Sequence, residues 1–329
     1  DPPLADSPVA GGLVLLAIGL GLAVKTPLFP FHTWLPDAHT DAPAAGSAVL
    51  AGILLKLGTY GFVRIAMPIL PDAWQRWAMV AVVIGVISVL WGAFVALAQT
   101  DVKRMIAYTS VNHMGYVLLG LGAAGLVASA DEGARTIATV GAVYQMVSHG
   151  LLTGALFLLS GVLWSRGHTY ALDRWGGLAR PAPVFAASLA VAAFGSLGLP
   201  GLSGFIAEFQ VFTGALEAAP VATVIAVVGI LVTAGLFLLA LQRLLTGDTV
   251  VPSGPETEGE EHPAVEHPAG GTATATRSRT ATLVRDLRGH EVASIVPLLA
   301  LAVVLGLFPR VLLDVVEPAA AAVVQLVAR

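Results

Sequence analysis

The 329-residue chain is 56% hydrophobic and only 12% charged, with a mean hydropathy of +0.83; soluble domains carry about 25% charged residues, so a water-soluble globular fold is excluded. The net charge of −4 says little in a chain dominated by apolar runs; there is no basic stripe for a nucleic-acid partner, and the absence of cysteine excludes disulfides, thiolate catalysis and thiolate metal sites. Several apolar runs exceed the roughly 18–20 residues that cross a bilayer, which predicts an all-α integral membrane protein.

Asp1 opens a short polar lead with nothing resembling a cleavable signal, which predicts that the sequence begins partway through a longer protein. About eight spans follow, at 9–30, 43–68, 74–98, 102–126, 134–164, 182–217, 220–244 and 291–314. Two are interrupted. The first carries "TPLFPF", with Pro27 and Pro30. The sixth is too long for one crossing and carries "GSLGLPGLSGF" at 195–205. Such breaks free backbone groups that lipid cannot satisfy, so they survive only inside protein or against a wet cavity. A pair of interrupted spans points to an inverted-repeat transporter.

Between the last two spans, residues 245–290 are rich in Gly, Pro, Thr, Glu and His and poor in core residues. The composition predicts a disordered loop. His262 and His267 lie there among glutamates and are expected to be solvated rather than metal ligands. Taking the face of Asp1 as one side, ten basic residues fall on the other side: Lys103, Arg104, Arg166, Arg174, Arg180, Arg243, Arg277, Arg279, Arg285 and Arg288. Five fall on the Asp1 side: Arg64, Arg76, Arg135, Arg310 and Arg329. The positive-inside rule then puts the 245–290 loop in the cytoplasm and the C-terminus outside.

Five ionisable residues lie deep in spans: Lys25, Lys56, His113, His149 and Glu208. At 1.5 Å per residue, the first four sit about 16 to 23 Å from the start of their spans, near mid-bilayer. A charge there costs roughly 2.5 to 3.5 kcal/mol, so such a residue marks a functional interior by default. Helical spacing gathers polar neighbours around them. Lys56, Thr59, Tyr60 and Arg64 are expected on one face of the second span. Thr109, Asn112, His113 and Tyr116 share a face of the fourth, and Gln145, His149 and Thr153 a face of the fifth. Together they predict a hydrated seam that passes protons, since burial and neighbouring charge bring Lys, His and Glu toward a common titration range. A lone membrane histidine also serves as a neutral interhelical hydrogen bonder. His32 and His39 flank the first break and are expected to be surface caps or loop hydrogen bonders. No Walker loop, dinucleotide fingerprint, nucleophile elbow or metal-ligand spacing is present.

The stretch "KTPLFPFHTWLPDAHTDAPAAGSAVLAGILLKLGTYGFVR" resembles the core of the antiporter-like membrane subunits of respiratory complex I. "AQTDVKRMIAYTSVNHMGYVLLG", "VYQMVSHGLLTGALFLLSGVLW" and "SLGLPGLSGFIAEFQVF" extend the resemblance over essentially residues 9–320. It implies helices seven to fourteen of a fourteen-helix fold built from two inverted five-helix repeats, with helices seven and twelve broken. The organisation implied is a broken first span at 1–30 and the rest of an incomplete first repeat at 31–68. A second repeat follows at 74–244, with its broken span at 182–217, then the loop at 245–290 and a final span and tail at 291–329.

The resemblance also implies roles. Lys25 matches the family's lysine on broken helix seven, whose partner glutamate lies on a helix this sequence does not contain. Lys56 matches the connecting lysine of helix eight, His113 and His149 the histidines of helices ten and eleven, and Glu208 the terminal residue of broken helix twelve. An acid at that last position is the pattern of the middle, M-type, antiporter-like chain. The function implied is proton translocation in the bacterial inner membrane, coupled to NADH:quinone oxidoreduction. NADH, FMN, iron–sulfur clusters and quinone are expected on partner subunits and no cofactor on this chain. The partners implied are the neighbouring antiporter-like chains and lipid. The alternatives are an Mrp-type sodium/proton antiporter or hydrogenase membrane subunit, and a structural membrane element without transport.

Overall fold

The computed structural model describes residues 8–252 and 285–329. Eleven helices are described: α1 Pro8–Lys25, α2 Trp34–Asp41, α3 Ala44–Ile69, α4 Pro71–Leu97, α5 Val102–Gly125, α6 Glu132–Gly167, α7 Pro183–Ser196, α8 Ser203–Ala218, α9 Pro220–Leu245, α10 Gly289–Leu307 and α11 Arg310–Val327. Five of them (α3, α4, α6, α9 and α10) are by themselves long and apolar enough to cross a membrane. The other spans have identifiable reasons to fall short. The first and sixth are broken, into α1 with α2 and α7 with α8. α5 is long enough at 24 residues, but Asn112, His113 and their polar neighbours dilute its hydropathy.

Local chemistry sets the helix ends. Proline opens α4, α7 and α9, where its missing N–H is no loss. Asp101 and Asp131 cap α5 and α6, accepting from Arg104 N at 2.8 Å and Ala134 N at 2.7 Å. α7 is capped from a distance: the Asp286 carboxylate accepts from Val184 N and Phe185 N, each at 2.9 Å. α3 carries two π-helical turns, Leu50–Leu54 and Phe62–Ala66, on either side of Lys56.

α5 is the centre of the bundle. Apart from Arg104 and Tyr108, every one of its side chains is buried, against α2, α3, α4, α6, α8, α9 and α11. A helix buried on all sides never meets lipid, so it tolerates polar residues on any face. Its closest neighbour is α4, and the two approach through glycines. A Cβ at Gly115 would lie 2.7 Å from the Gly85 carbonyl oxygen and 2.7 Å from Val89 N. A Cβ at Gly92 would lie 2.4 Å from Asn112 N. Small residues at a crossing let membrane helices gain packing that hydrophobicity does not provide between them.

Two readings of the sequence change at the C-terminal end. The last span stops at Leu307 rather than continuing to 314, because Pro309 interrupts it. The expected tail is instead the amphipathic helix α11, which turns back along α6. Its Val316, Ala320, Val323, Val324 and Val327 are buried, Gln325 donates to Glu132 at 2.8 Å, and Gln75 donates to the Val327 carbonyl. Most of the polar loop expected at 245–290, with His262 and His267, lies outside the described residues. Its described ends are built into the fold. Val250 pairs with Gly176 through two 3.0 Å backbone bonds, and Arg166 Nε donates to the Arg285 carbonyl at 3.3 Å.

The α4–α5 crossing has a direct consequence. Gly115→Val is expected to destabilise the protein by about 1–3 kcal/mol, the usual range for overpacking. Thermal unfolding in detergent checks this. Gly19 gives the control, since a Cβ built on it meets nothing within 4 Å. Gly19→Ala is expected to be neutral or mildly stabilising.

Candidate functional site

The site begins where α3 crosses α6. Gly52 and Gly150 face each other, and a Cβ on Gly150 would sit 2.7 Å from the Gly52 carbonyl oxygen. The close approach lets Lys56, one turn beyond Gly52, reach across to His149, the neighbour of Gly150. Lys56 Nζ lies 2.5 Å from His149 Nδ1 and donates to the Ala51 carbonyl. The His149 and His113 rings meet edge-on, with centroids 5.2 Å apart. His113 Nε2 then lies 3.0 Å from the Ser196 carbonyl and 4.0 Å from Glu208 Oε1. Four ionisable groups from four helices (α3, α6, α5 and α8) thus form one row.

The far end of the row is made by the broken helix. α7 ends in a left-handed glycine cap: Leu199 N donates to the Phe194 carbonyl at 3.0 Å and Gly198 N to the Gly195 carbonyl at 3.2 Å, with Gly198 at φ +79°. This is the two-bond pattern of a Schellman motif. It satisfies the carbonyls of Phe194 and Gly195 and leaves that of Ser196 to His113. A carbonyl only accepts, so a neutral His113 making this bond carries its proton on Nε2 and leaves Nδ1 bare. If Lys56 donates to His149 Nδ1, then His149 carries its own proton on Nε2. Neighbouring rings therefore offer a donor and an acceptor.

The row is dry of protein partners at several atoms. His113 Nδ1, His149 Nε2, Gln145 Oε1, Thr153 Oγ1, Asn112 Oδ1 and Ser196 Oγ are buried without one among the described residues. Buried polar atoms are nearly always hydrogen-bonded, and a cluster of exceptions marks a place for water or for a mobile proton. Among the described residues, no three His, Asp or Glu side chains converge as a metal site requires.

The structure brings together four of the five residues singled out from the sequence. Lys25 stands apart. It is the last residue of α1, partly exposed, with no hydrogen bond or ion pair among the described residues. The break beside it packs on α3 where Gly58 gives room: a Cβ there would lie 2.3 Å from Thr26 Oγ1. The freed amide of Phe29 is satisfied by Ser88 Oγ at 3.0 Å.

Three expectations are corrected. Tyr60 and Arg64 do not share the interior face with Lys56; Tyr60 is 55% exposed and Arg64 is exposed, whereas Thr59 is buried. Arg64 falls inside the second π-helical turn, where a 3.6-residue period does not hold, and Tyr60 lies across the half-buried Lys56 from Thr59, on the outward side of the helix. His32 and His39 are not surface caps. His32 is buried beneath Trp91, whose Nε1 donates to it at 3.0 Å. His39 is wholly buried, stacked on Phe157 with centroids 4.3 Å apart, and neither ring nitrogen has a hydrogen-bond partner among the described residues. Sequence reading also missed the Ser196 carbonyl and the glycines at 52, 150 and 198. The "GSLGLPG" stretch held the signal for the last of these, a glycine followed by proline at a helix end.

Comparison with known proteins places this geometry. Residues 7–233 match the family model described as "NADH:quinone oxidoreductase/Mrp antiporter, TM". NADH-quinone oxidoreductase subunit M of Rickettsia bellii is 39% identical over 91% of this chain and 53% of its own length. F(420)H(2) dehydrogenase subunit M of Methanosarcina mazei is 45% identical over 71% of this chain and 45% of its own. The chain therefore spans about half the length of these curated relatives. A chain of respiratory complex I from Thermus thermophilus, solved with bound NADH, superposes with a TM-score of 0.80 at 30% identity, over 97% of this chain and 59% of that one. With the family model matching most of its length, the chain belongs to the NADH:quinone oxidoreductase/Mrp antiporter transmembrane family.

Proposed function

We propose that this chain is the proton-conducting part of an M-type membrane-arm subunit of NADH:quinone oxidoreductase. The observation that carries the reading is the row Lys56–His149–His113–Glu208, enclosed in the bundle and ending against a broken helix. Each link joins a group that holds a proton to one that accepts it. The gaps at His149 Nε2 and His113 Nδ1 are spanned by water, which bridges buried polar groups at small cost. NADH, FMN, iron–sulfur clusters and quinone act on partner subunits, and this chain works beside other antiporter-like chains. The 245–290 loop faces the cytoplasm and the C-terminus faces outward, as the basic residues distribute. Lys25 acts as a switch at the near break, in ion-pair exchange with a carboxylate from outside this sequence.

A second reading keeps the proton row and changes the electron donor. The 45% identity to a subunit of F(420)H(2) dehydrogenase supports it. Measuring which donor supports proton translocation by the purified complex decides between the two.

Two substitutions test the row in the full-length subunit. Glu208→Gln is expected to lower proton translocation far more than Glu208→Asp, because an amide cannot take up and release a proton. NADH-driven acidification of inverted vesicles, normalised to assembled complex, reads this out. Equal activity of the two variants reduces Glu208 to a hydrogen bonder. Lys25→Arg is expected to fail about as badly as Lys25→Ala, since a guanidinium with a pKa above about 12 does not release its proton. A structural ion pair would tolerate Arg far better than Ala, and wild-type pumping by Lys25→Arg removes deprotonation of Lys25 from the mechanism.

A further inference from the structure

Gly198 lies against the Glu208 carboxylate. A Cβ built on it would stand 2.4 Å from Glu208 Oε2, 3.3 Å from Cδ and 3.8 Å from Oε1. The carboxylate is otherwise held loosely: its one ionic neighbour among the described residues is His113, with Nε2 4.0 Å from Oε1. We infer that Gly198 is a positioning residue for Glu208, its bare Cα forming the surface on which Oε2 rests so that Oε1 stays within reach of His113. The inference rests on the proton-row reading above.

Two demands meet at this one position. The cap that ends α7 needs a left-handed residue, and Gly198 takes φ +79° to make it. That backbone turn is what frees the Ser196 carbonyl for His113 and aims the Gly198 Cα at α8. The two halves of the broken helix are already in close contact beside it, since a Cβ on Gly204 would lie 2.0 Å from the Gly195 carbonyl oxygen. Glu208, on the second turn of α8, therefore has little room to retreat. Any side chain at 198 displaces Oε2 and carries Oε1 away from His113. The Ser196 carbonyl and Glu208 Oε1 compete for the same His113 Nε2 proton, so the position of the carboxylate sets which of them receives it.

The two demands are separable by experiment, because only one of them concerns the carboxylate. Asparagine tolerates the left-handed conformation but carries a side chain. Aspartate at 208 is one methylene shorter and withdraws from a Cβ at 198. The full-length subunit in its assembled complex is compared as wild type, Gly198→Ala, Gly198→Asn, Glu208→Asp, Gly198→Ala/Glu208→Asp and Gly198→Asn/Glu208→Asp, with NADH-driven acidification of inverted vesicles and its pH profile as readouts. Gly198→Ala is expected to lose about tenfold to a hundredfold in pumping, the range that a displacement of about 1 Å produces. Gly198→Asn is expected to lose as much. Adding Glu208→Asp is expected to recover several-fold of either loss and to return the pH profile toward that of Glu208→Asp alone. If Gly198→Ala fails to assemble, the asparagine pair carries the comparison. Wild-type pumping by Gly198→Asn, or double variants at or below the product of their single variants, overturns the positioning role and leaves Gly198 as a backbone requirement. Glu208→Gln, measured alongside, separates the two levels: wild-type pumping by that variant sinks the proton row itself, whatever Gly198 does.

Discussion

The structure depends on keeping one helix entirely out of lipid. α5 is enclosed by seven other helices, and that enclosure allows Thr109, Asn112, His113 and Tyr116 to occupy the depth where a bilayer would reject them. Each polar group in hydrocarbon costs several kcal/mol unless it finds a partner. The enclosure is in turn built from glycines. Gly85, Gly92 and Gly115 let α4 close on α5, and Gly52 and Gly150 let α3 close on α6. Without those approaches Lys56 would not reach His149, and the row would lose its first link.

The broken helices follow from the same constraint. Each break sets backbone groups free, and several of them find partners in the fold. Phe29 N goes to Ser88, and the Phe194 and Gly195 carbonyls go to the glycine cap. The Ser196 carbonyl is left over, and it goes to His113. The break thus supplies the site with a fixed acceptor that no side chain provides, in the way that interrupted membrane helices present backbone dipoles to ions elsewhere.

Much of this was legible in the sequence, and the parts that were not have physical causes. A 3.6-residue period placed Asn112 with His113 and Tyr116, and Gln145 with His149, because α5 and α6 are regular helices. The same period failed in α3, where Arg64 falls inside a π-helical turn and Tyr60 lies across the half-buried Lys56 from Thr59, facing outward. His39 beside a proline-rich break reads as surface, yet Phe157 and the turn of α2 bury it completely. α11 escaped notice because its apolar residues are spread over one face and follow a proline, so hydropathy averages them away. Glu208 and the glycine break were both visible, but their contact is not. Nothing in the order of residues tells that Gly198 and Glu208, ten positions apart, touch.

A connected row behaves as a unit, so its members contribute non-additively, as groups that share one step do. The direct measurement is proton translocation per electron pair in sealed vesicles for His113→Phe, His149→Phe and the double variant, each in the assembled complex with electron transfer measured in parallel. One row through both rings predicts that the double variant translocates no less than the worse single variant. Losses that multiply in the double variant would mean that His113 and His149 serve separate routes, and would contradict the single row from Lys56 to Glu208.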